Sequence, residues 1–271
     1  MQYAFKNWET LEDKLKGKYI FLFLDYDGTL TPIVEKPELA VLSGETREIL
    51  KKLSEKPCCK VAIISGRSLQ DVKSKLGLRD LIISGNHGLE IEGPKIQYIT
   101  PISGAYRKIL DDIKIFLGKK IIPYKGASIE DKGLALTLHF RQVPEKLVPM
   151  VKAAFHEAAI YYLVENKIKI KTGKKVLEVR PILQWDKGDV VLWLLARQKF
   201  AKSDAEVLPV YIGDDNTDED AFKALQDFGV TIFVGKPGAS NAQYYVGSTD
   251  EVRELLERIL KIQEKTDSCK S

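Results

Sequence analysis

The sequence predicts an α/β fold built on a parallel sheet, with a smaller α+β segment inserted into it. Over the first hundred residues, short apolar runs alternate with helical patterns, as in parallel sheets whose strands are joined by crossover helices. The middle of the chain shows period-2 alternation and a hairpin pattern, and the first pattern then resumes. We therefore expect a core domain at residues 1–101 and 183–271 and an inserted α+β domain at 102–182.

The core elements follow from where the apolar runs begin and end. Tyr19–Leu24 is an unbroken apolar run, the pattern of a strand that is buried on both faces. The spacing of Leu50 and Leu53 fits a helix over Ser43–Glu55. The remaining core elements are predicted as strands Lys60–Ile64, Leu81–Ser84, Val207–Ile212 and Thr231–Val234 and helices Ser68–Leu76, Lys187–Phe200 and Thr249–Glu264.

The inserted segment has a different pattern. Every second residue between positions 134 and 140 is leucine or phenylalanine, which predicts a strand with one buried face. An apolar stripe at helical spacing predicts a helix over about Pro144–Leu163. A hairpin is expected to follow, and its two strands and its turn are Lys167–Ile170, Val176–Val179 and Thr172-Gly173.

Composition excludes several classes of protein. The 271 residues carry a formal net charge of only +4, and the basic residues are dispersed, which argues against nucleic-acid binding. The basic stretch Lys167–Lys175 fits a solvated hairpin better than an RNA-binding patch. Three cysteines are too few for a disulfide framework and favour a reducing compartment. Without a signal-peptide pattern or an apolar run of ~20 residues, we expect a cytoplasmic protein that does not contact a membrane.

Two aspartates follow the first buried strand at a spacing of two residues. Side chains at i and i+2 of an extended chain point the same way, so Asp25 and Asp27 are expected to converge at the carboxyl end of the strand. Open α/β sheets place their ligands at this end. One carboxylate can act as a nucleophile, the other can exchange protons, and the pair can hold a cation. The alternative is an Asp-rich turn without a chemical role.

A second acidic cluster follows the predicted strand at residues 207–212. Five carboxylates occur within residues 214–220, and they repel one another unless a cation or a buried base compensates. Hard oxygen ligands of this kind suit Mg²⁺. Capping of a helix that begins near Asp218 explains some of these acids. It does not explain Asp214 and Asp215, which come directly after the strand.

The ordered set of motifs resembles that of the haloacid dehalogenase-like hydrolases. The matching residues are Asp25-Tyr26-Asp27-Gly28-Thr29, Ser65 after an apolar strand, Lys187, and Gly213-Asp214-Asp215 with Asp218. Within that superfamily the chain is similar to the trehalose-6-phosphate phosphatase family over residues 18–250. This closer likeness rests on residues 25–33, Ser65-Gly66-Arg67, Gly85-Asn86-His87-Gly88, residues 213–222, Glu130-Asp131-Lys132, His139-Phe140-Arg141 and Glu178-Val179-Arg180-Pro181. It implies a Rossmann-like parallel-sheet core with a mobile α+β cap between the second and third motifs.

The resemblance implies a phosphatase mechanism with Mg²⁺ as the cofactor. Asp25 would attack phosphorus and form an aspartyl-phosphate, with Lys187 as a further catalytic residue. Asp27 would protonate the departing sugar oxygen and then deprotonate the water that cleaves the intermediate. The implied metal ligands are the Asp25 carboxylate, the Asp27 backbone carbonyl and the Asp214 carboxylate.

The resemblance also implies phosphate-binding and supporting residues. Ser65 would donate a hydrogen bond to a phosphate oxygen, and Lys187 would add a positive charge. Gly66 and Arg67 belong to the same phosphate loop, although Arg67 could equally cap an acidic neighbour. The residues implied to orient the metal ligands are Thr29, Asp215 and Asp218, of which the two aspartates would also pair with Lys187.

Residues of the inserted segment would bind the sugar. By resemblance, Glu130, Lys132 and Glu178 bind the distal glucose. From the strand pattern alone, cross-strand ion pairing on a solvated face is an equally good explanation. The residues implied to line the cleft between core and cap are Asn86, His87 and Gly88, while His139 and Arg141 are interpreted as structural. The cap would open and close about hinges near residues 101–104 and 181–182.

The function implied is Mg²⁺-dependent hydrolysis of trehalose 6-phosphate to trehalose and phosphate, in trehalose biosynthesis. The expected partner is this small-molecule substrate, and a separate trehalose-6-phosphate synthase is left open as a second one. The nearest alternative is a phosphatase for glucosylglycerol phosphate, mannosylglycerate phosphate or sucrose 6-phosphate. A sugar-phosphate-binding protein without activity is a second alternative. A third is a phosphotransferase or a phosphonatase. A phosphonatase would need a Schiff-base lysine, for which the sequence offers no convincing candidate, although Lys132 is left open.

Overall fold

The structure is a computed structural model that describes residues 1–101, 104–183, 185–201 and 206–267. The chain divides into two compact units, unit 1 with Met1–Tyr98 and Trp185–Ser271 and unit 2 with Ile99–Gln184. Unit 2 contains the inserted α+β pattern. Its role as a cap that selects the substrate stays a prediction. The same holds for the hinges, of which Ile102 and Ser103 lie outside the described residues.

The helices and strands are labelled in chain order. The described strands are β1 Gln2–Tyr3, β2 Tyr19–Leu24, β3 Cys59–Ile64, β4 Ile82–Gly85, β5 Glu90–Gly93, β6 Ile96–Ile99, β7 Ser128–Asp131, β8 Leu136–His139, β9 Lys169–Gly173, β10 Val176–Arg180, β11 Val207–Gly213, β12 Val230–Val234 and β13 Tyr244–Val246. The described α-helices are α1 Trp8–Leu15, α2 Gly44–Ser54, α3 Leu69–Leu76, α4 Gly104–Ile121, α5 Val148–Val164, α6 Lys187–Ala201, α7 Glu219–Leu225 and α8 Thr249–Asp267.

The sheet of unit 1 is parallel where the predicted core strands lie. Its strand order is β1-β13-β12-β11-β2-β3-β4-β5-β6. Strands β11, β2, β3 and β4 pair in parallel with their neighbours, and β5 then runs antiparallel to β4. All residues of β2 are buried, which fits a strand that is covered on both faces. The predicted parallel-sheet α/β core is confirmed.

Helices cover both faces of this sheet. Ile20, Leu22 and Leu24 of β2 pack into one layer with buried residues of α1, α2, α3 and α8. Phe21 and Phe23 pack into the opposite layer, with α6 and α7. Because alternate side chains of a strand point to opposite faces, one apolar run supplies both layers. Each large apolar side chain buried here contributes about 1.5–3 kcal/mol, so β2 is a rigid support for the aspartates that follow it.

The helix after the second motif is capped at both ends. The Ser68 hydroxyl oxygen accepts the N–H of Asp71 at 3.3 Å at the start of α3. The helix ends at Gly77, which has a φ of +63°, the left-handed conformation that glycine adopts without steric cost. A serine cap contributes about 1 kcal/mol, and this one fixes the start of α3 directly after Ser65-Gly66-Arg67.

Unit 2 is an antiparallel sheet with helices on one face. Its strand order is β7-β8-β10-β9, and each neighbouring pair is antiparallel. Helices α4 and α5 share a core with the apolar face of this sheet, which includes Leu136, Leu138, Leu177 and Val179. The other face is polar. There Thr137 lies opposite both Glu130 and Glu178, so these three residues form one row across three strands.

The structure corrects the predicted elements of unit 2 in three places. Helix α4 was not predicted, although its buried residues recur at helical spacing: Tyr106, Leu110, Ile113, Leu117 and Ile121. The predicted helix at 144–163 begins as a short 3-10 turn, Glu145–Leu147, before α5. On the polar face of β8, Thr137 is only 1% exposed, whereas the His139 side chain is 23% exposed.

The predicted hairpin turn at Thr172-Gly173 is wrong. Strand β9 continues to Gly173, which pairs with Val176, so the turn lies at Lys174 and Lys175. Lys175 has a φ of +66°, the left-handed conformation for which hairpin turns usually use glycine. Pairing of β9 with the buried strand β10 therefore outweighs the turn preference of Gly173.

One helical segment, Glu145–Val164, is long and apolar enough to cross a membrane by length and composition alone. The expectation that the chain has no such segment is therefore wrong. Core helices of soluble proteins pass the same test. In unit 2, Val151, Phe155 and Ala159 of this segment are fully buried in the core beside the sheet. Packing within unit 2 accounts for only part of its apolar character, because 28% of the apolar window is buried and Met150, Ile160 and Val164 are exposed.

Candidate active site

Four motif loops lie at the carboxyl ends of four adjacent parallel strands. Asp25 follows β2, Ser65 follows β3, Asn86 follows β4, and Asp214 follows β11. These strands are neighbours in the order β11-β2-β3-β4. The crevice at the carboxyl ends of such strands is where α/β proteins bind their ligands. The structure therefore gathers the residues predicted for chemistry, phosphate binding and metal binding on one edge of unit 1.

Lys187 joins two of the motif aspartates. It is the first residue of α6, and its Nζ lies 2.7 Å from Oδ1 of Asp25 and 2.7 Å from Oδ1 of Asp218. All three side chains are buried. Burial lowers the pKa of Lys187, but the charges of Asp218 and Asp25 outweigh burial and raise the pKa above its usual value. Lys187 is therefore held in place as a cation.

Asp218 organises the loop after β11. Its Oδ1 also accepts the Tyr211 hydroxyl at 2.7 Å, and its Oδ2 accepts the N–H groups of Asp214 and Asp215, each at 3.0 Å. Both carboxylate oxygens are thus used within the protein, so Asp218 is suited to hold the loop in shape. Tyr211 was not among the predicted site residues. A phenol in a buried strand needs a hydrogen-bond partner, and that requirement was the available signal.

Asp215 is held by its own loop. Its Oδ1 accepts the N–H of Thr217 at 2.8 Å and the Thr217 hydroxyl at 2.7 Å. Within the described residues, the ion pairs of Lys187 are with Asp25 and Asp218, not with Asp215. Burial raises the pKa of Asp215, but the charge of Lys187 and the bonds from Thr217 lower it to about 2. Asp215 therefore acts on Lys187 through its charge and not through contact.

Three carboxylates lie close enough to share a cation. One oxygen from each of Asp25, Asp214 and Asp218 lies within 4.8 Å of the others. Burial raises the pKa of Asp25 well above its usual value, as do the charges of Asp218 and Asp214, while Lys187 opposes this rise. One lysine faces three acids, so a divalent cation would relieve the remaining repulsion. Carboxylate oxygens are suitable ligands for such a hard cation.

The loop after Asp25 leaves room for Asp214. Gly28 has a φ of +90°, and a Cβ at this position would overlap the Asp214 carboxylate. Both the backbone conformation and the close approach therefore require glycine. The neighbouring Thr29 is fully buried, and its hydroxyl oxygen has no hydrogen-bond partner among the described residues. Its role in orienting metal ligands stays a prediction.

Arg67 holds Asp27. Its Nε and Nη2 lie 2.6 Å from Oδ2 and Oδ1 of Asp27, and its Nη1 lies 2.6 Å from Oδ2 of Asp71. Nη2 also donates to the Pro37 carbonyl at 2.9 Å. Burial lowers the pKa of Arg67, but the two carboxylates raise it above its usual value. Of the two interpretations, the structure shows the contact with acidic neighbours, while phosphate binding by Arg67 stays a prediction.

The loop after β4 is folded onto the loop after β3. The N–H of Asn86 donates to the Arg67 carbonyl at 2.7 Å, and the N–H of His87 donates to the Ser65 carbonyl at 2.9 Å. Asn86 and His87 both have positive φ, +50° and +55°, which costs about 1–3 kcal/mol for each non-glycine residue. A Cβ at Gly66 would overlap the His87 ring. The two loops therefore form one tightly fitted structure around Ser65.

Unit 2 holds a buried polar cluster of its own. Glu178 is 5% exposed and accepts Lys132 Nζ at 2.9 Å and the Thr137 hydroxyl at 2.7 Å. It also forms an ion pair with Arg180. A Schiff-base role for Lys132 would require this ion pair with Glu178 to break. Neither Thr137 nor Arg180 was among the predicted site residues, although both lie beside Glu178 on the polar face.

Glu130 lies on the same face and pairs with a histidine. The distance from its Oε2 to Nε2 of His139 is 2.8 Å. Burial raises the pKa of Glu130, but the hydrogen bond with His139 and the charge of Lys132 lower it below its usual value. The predicted sugar-binding residues Glu130, Lys132 and Glu178 thus lie together in unit 2. That they bind a sugar stays a prediction.

Comparison with known proteins establishes the family. A family model described as trehalose-phosphatase matches residues 23–250. The chain belongs to this family. Trehalose-phosphate phosphatase B of Arabidopsis thaliana is 36% identical over 275 aligned residues, which cover 97% of this chain and 72% of the relative. Probable trehalose-phosphate phosphatase 4 of Oryza sativa subsp. japonica is 37% identical, with 98% of this chain and 72% of the relative covered.

Solved structures agree with this family assignment. The crystal structure of a trehalose-6-phosphate phosphatase related protein has a TM-score of 0.77 and 25% identity, and covers 90% of this chain and 99% of that one. The C-terminal domain of trehalose-6-phosphate phosphatase from C. albicans has a TM-score of 0.76 and 26% identity, and the match covers 93% of this chain and 97% of that one. The predicted haloacid dehalogenase-like fold is confirmed, and the protein is a phosphatase of this family.

Proposed function

We propose that the protein hydrolyses trehalose 6-phosphate to trehalose and phosphate. The observation that carries this proposal is the buried contact of Lys187 with both Asp25 and Asp218, at the edge of the sheet where the motif loops meet. Phosphoryl transfer needs a positioned nucleophile and fixed positive charge near the phosphate oxygens. The relatives with 36% and 37% identity carry the name trehalose-phosphate phosphatase, which supports this substrate.

Asp25 is the proposed nucleophile. A carboxylate oxygen forms a bond to phosphorus while the bond from phosphorus to the sugar oxygen breaks, which gives an aspartyl-phosphate. Lys187 binds Oδ1 at 2.7 Å and leaves Oδ2 to attack. The rigid strand β2 directly before Asp25 fixes the direction of this attack.

Asp27 is the proposed acid and base. It gives a proton to the departing sugar oxygen, and it then takes one from the water whose oxygen bonds to phosphorus as the Asp25–phosphorus bond breaks. The proton count on Asp27 is therefore the same before and after one turnover. The Asp27 side chain is 40% exposed, so a substrate can reach it. Arg67 donates to both of its oxygens and orients the carboxyl group, and one of these two bonds must open when Asp27 carries the proton.

The carboxylate cluster fits a divalent cation, which we propose is Mg²⁺. The Asp25 and Asp214 carboxylates and the Asp27 backbone carbonyl would hold it, while Asp218 uses both oxygens to support the loop. Gly28 leaves the Asp214 carboxylate the space that this arrangement needs. When bound, Mg²⁺ would neutralise charge on the phosphoryl oxygens.

Ser65 and Lys187 are the proposed phosphate ligands. The Ser65 hydroxyl oxygen accepts the Arg67 N–H at 3.1 Å, which leaves the hydroxyl hydrogen to be donated to phosphate. An ammonium group has three hydrogens. Lys187 donates two of them to the Asp25 and Asp218 carboxylates, which leaves the third for a phosphate oxygen. Both donors lie at the strand ends beside Asp25.

The polar face of unit 2 is the proposed sugar-binding surface. Glu130, Lys132 and Glu178 offer donors and acceptors in a cluster whose charges nearly balance, which suits uncharged hydroxyl groups.

We further propose that the protein works in the cytoplasm and without nucleic acid or membrane contact. A separate trehalose-6-phosphate synthase is the protein partner that this chemistry would need upstream.

The test is phosphate release from trehalose 6-phosphate, glucose 6-phosphate, sucrose 6-phosphate, glucosylglycerol phosphate and mannosylglycerate phosphate, with Mg²⁺ and with EDTA. We expect Mg²⁺-dependent turnover with a strong preference for trehalose 6-phosphate. Preference for another sugar phosphate would contradict the substrate and the sugar-binding surface but keep the core mechanism. Turnover that survives EDTA would contradict the metal site.

A further inference from the structure

One hydrogen bond links the loop after β4 to the residues that lead into α6. The indole N–H of Trp185 donates to the Gly88 carbonyl at 2.8 Å, across 97 residues of sequence. Trp185 lies two residues before Lys187, at the start of α6. Gly88 belongs to the loop whose N–H groups bind the Ser65 and Arg67 carbonyls. The bond therefore connects the loop that is folded onto the phosphate loop to the segment that leads into α6 and its buried lysine.

The contact at Gly88 is closely packed. Gly88 has a φ of +100°, and a Cβ there would overlap Val190 of α6 and lie 2.5 Å from Nε1 of Trp185. Val190 is itself fully buried. Glycine is thus required at position 88 by its conformation and by the approach of α6.

The loop that Trp185 holds is strained. Asn86 and His87 both have positive φ, and such backbone persists only where surrounding contacts enforce it. Contacts that hold this loop include the two bonds to the phosphate loop, the bond from Asn86 to Glu90 and the bond from Trp185 to Gly88. Without the indole N–H, the Gly88 carbonyl loses this partner and α6 no longer holds the loop at that point.

The indole ring is fixed by other aromatic rings. Its centroid lies 6.1 Å from that of Tyr98 and 6.5 Å from that of Trp193. The ring centroid of Trp193 lies 5.3 Å from that of Tyr98, and the guanidinium carbon of Arg197 lies 4.7 Å from the Trp193 centroid. Trp193 therefore shares the aromatic packing of Trp185 without its hydrogen bond to Gly88, which makes it a matched control.

We propose that Trp185 is a positioning residue for phosphoryl transfer. It holds the Asn86–Gly88 loop against Ser65 and fixes this loop relative to Lys187, so that both phosphate ligands act on the same group. This inference rests on the proposed function, because it assumes that Ser65 and Lys187 contact the transferred phosphoryl group. It concerns the phosphate and not the sugar, so its effect is the same for every phosphate ester.

The test compares Trp185→Phe with Trp193→Phe, with trehalose 6-phosphate and p-nitrophenyl phosphate as substrates at saturating Mg²⁺. We expect Trp185→Phe to lower kcat about 10- to 100-fold on both substrates, with little change in KM, because it removes the partly buried hydrogen bond that holds the loop. Trp193→Phe should keep kcat close to that of the unchanged protein. Both variants should unfold at similar temperatures, which separates positioning from stability.

Gly88→Ala provides a second test of the same contact. It should lower kcat like Trp185→Phe, and the double variant should lose less than the product of the two single losses, because both break one contact. Equal kcat values for Trp185→Phe and Trp193→Phe would overturn the proposal. So would a loss confined to trehalose 6-phosphate. If the unchanged protein hydrolyses p-nitrophenyl phosphate but not trehalose 6-phosphate, the proposed substrate fails while the p-nitrophenyl phosphate comparison still decides the role of Trp185.

Discussion

Unit 1 and unit 2 each bury a cluster of charged side chains, and the two clusters differ in charge balance. In unit 1, the carboxylates of Asp25, Asp214 and Asp218 lie within 4.8 Å of one another and Lys187 is the cation beside them. In unit 2, two carboxylates, Glu130 and Glu178, lie with two cations, Lys132 and Arg180. The first cluster has surplus negative charge, and the second has none.

The difference indicates what each cluster can bind. Surplus buried carboxylates are costly unless a cation joins them, so the unit 1 cluster suits a divalent metal and the phosphate that the metal attracts. A balanced cluster has no such demand. It offers fixed donors and acceptors, which suit the hydroxyl groups of a neutral sugar.

The largest effect is expected from Asp25→Asn. The amide is a far poorer nucleophile than a carboxylate, so kcat for trehalose 6-phosphate should fall about 10⁴-fold or more. The measurement is phosphate release, with Asp80→Asn at an exposed position as the matched control. Appreciable turnover by Asp25→Asn would show that another group attacks phosphorus.

Lys187→Met should destabilise the protein and make its stability depend on Mg²⁺. Removing the cation leaves buried carboxylates unpaired, which costs about 3 kcal/mol or more in the free energy of unfolding without metal. Added Mg²⁺ should restore more stability to this variant than to the unchanged protein. Thermal unfolding with and without Mg²⁺ measures this, with the exposed Lys223→Met as control. Equal Mg²⁺ effects in both proteins would contradict a shared cation site.

Glu178→Gln should weaken sugar binding and lower the stability of unit 2. The change leaves Lys132 and Arg180 without their buried carboxylate, which costs about 1–3 kcal/mol in stability. KM for trehalose 6-phosphate should rise while kcat/KM for p-nitrophenyl phosphate stays within about twofold. Glu157→Gln, which breaks the exposed pair with Lys120, is the control. Equal losses on the two substrates would place Glu178 outside sugar recognition.

The smallest effect concerns Asp131 in unit 2. The hydrogen bond from Arg107 holds its pKa well below the usual value, with help from the N–H of Gly133. An acid with a lowered pKa stabilises the fold above its unfolded value near 4 and loses this contribution as pH falls toward the folded value. Asp131→Asn should therefore cost about 1 kcal/mol at pH 7 and less at pH 3. Urea unfolding at both pH values checks this, and an equal cost at each would contradict it.

The main elements of unit 1 could be predicted because its signals are local. The apolar run at Tyr19–Leu24 matches β2, and the aspartates after it mark the carboxyl end of the strand. In unit 2, α4 was missed although its apolar spacing is helical. The turn at Lys174-Lys175 could not be read from the sequence, because strand pairing and not turn propensity decides it.

The supporting residues of the site were harder to predict because their partners are distant in sequence. Trp185 binds Gly88, and nothing near either residue in the chain indicates that contact. Arg67 illustrates a different limit, since its sequence context fits both phosphate and acid contacts and only the fold shows Asp27 beside it. Pairing of Asp215 with Lys187 was expected, whereas the structure gives Asp215 a partner in Thr217.

The comparison between the two clusters is tested most directly by calorimetric titration of Mg²⁺ into the unchanged protein, Asp214→Asn and Glu178→Gln. We expect one Mg²⁺ site per chain in the unchanged protein. Asp214→Asn should weaken this site about tenfold or more, because a carboxylate ligand is lost, and Glu178→Gln should leave it unchanged. Mg²⁺ binding that is insensitive to Asp214→Asn, or that is lost in Glu178→Gln, would contradict the assignment of the metal to the surplus carboxylates of unit 1.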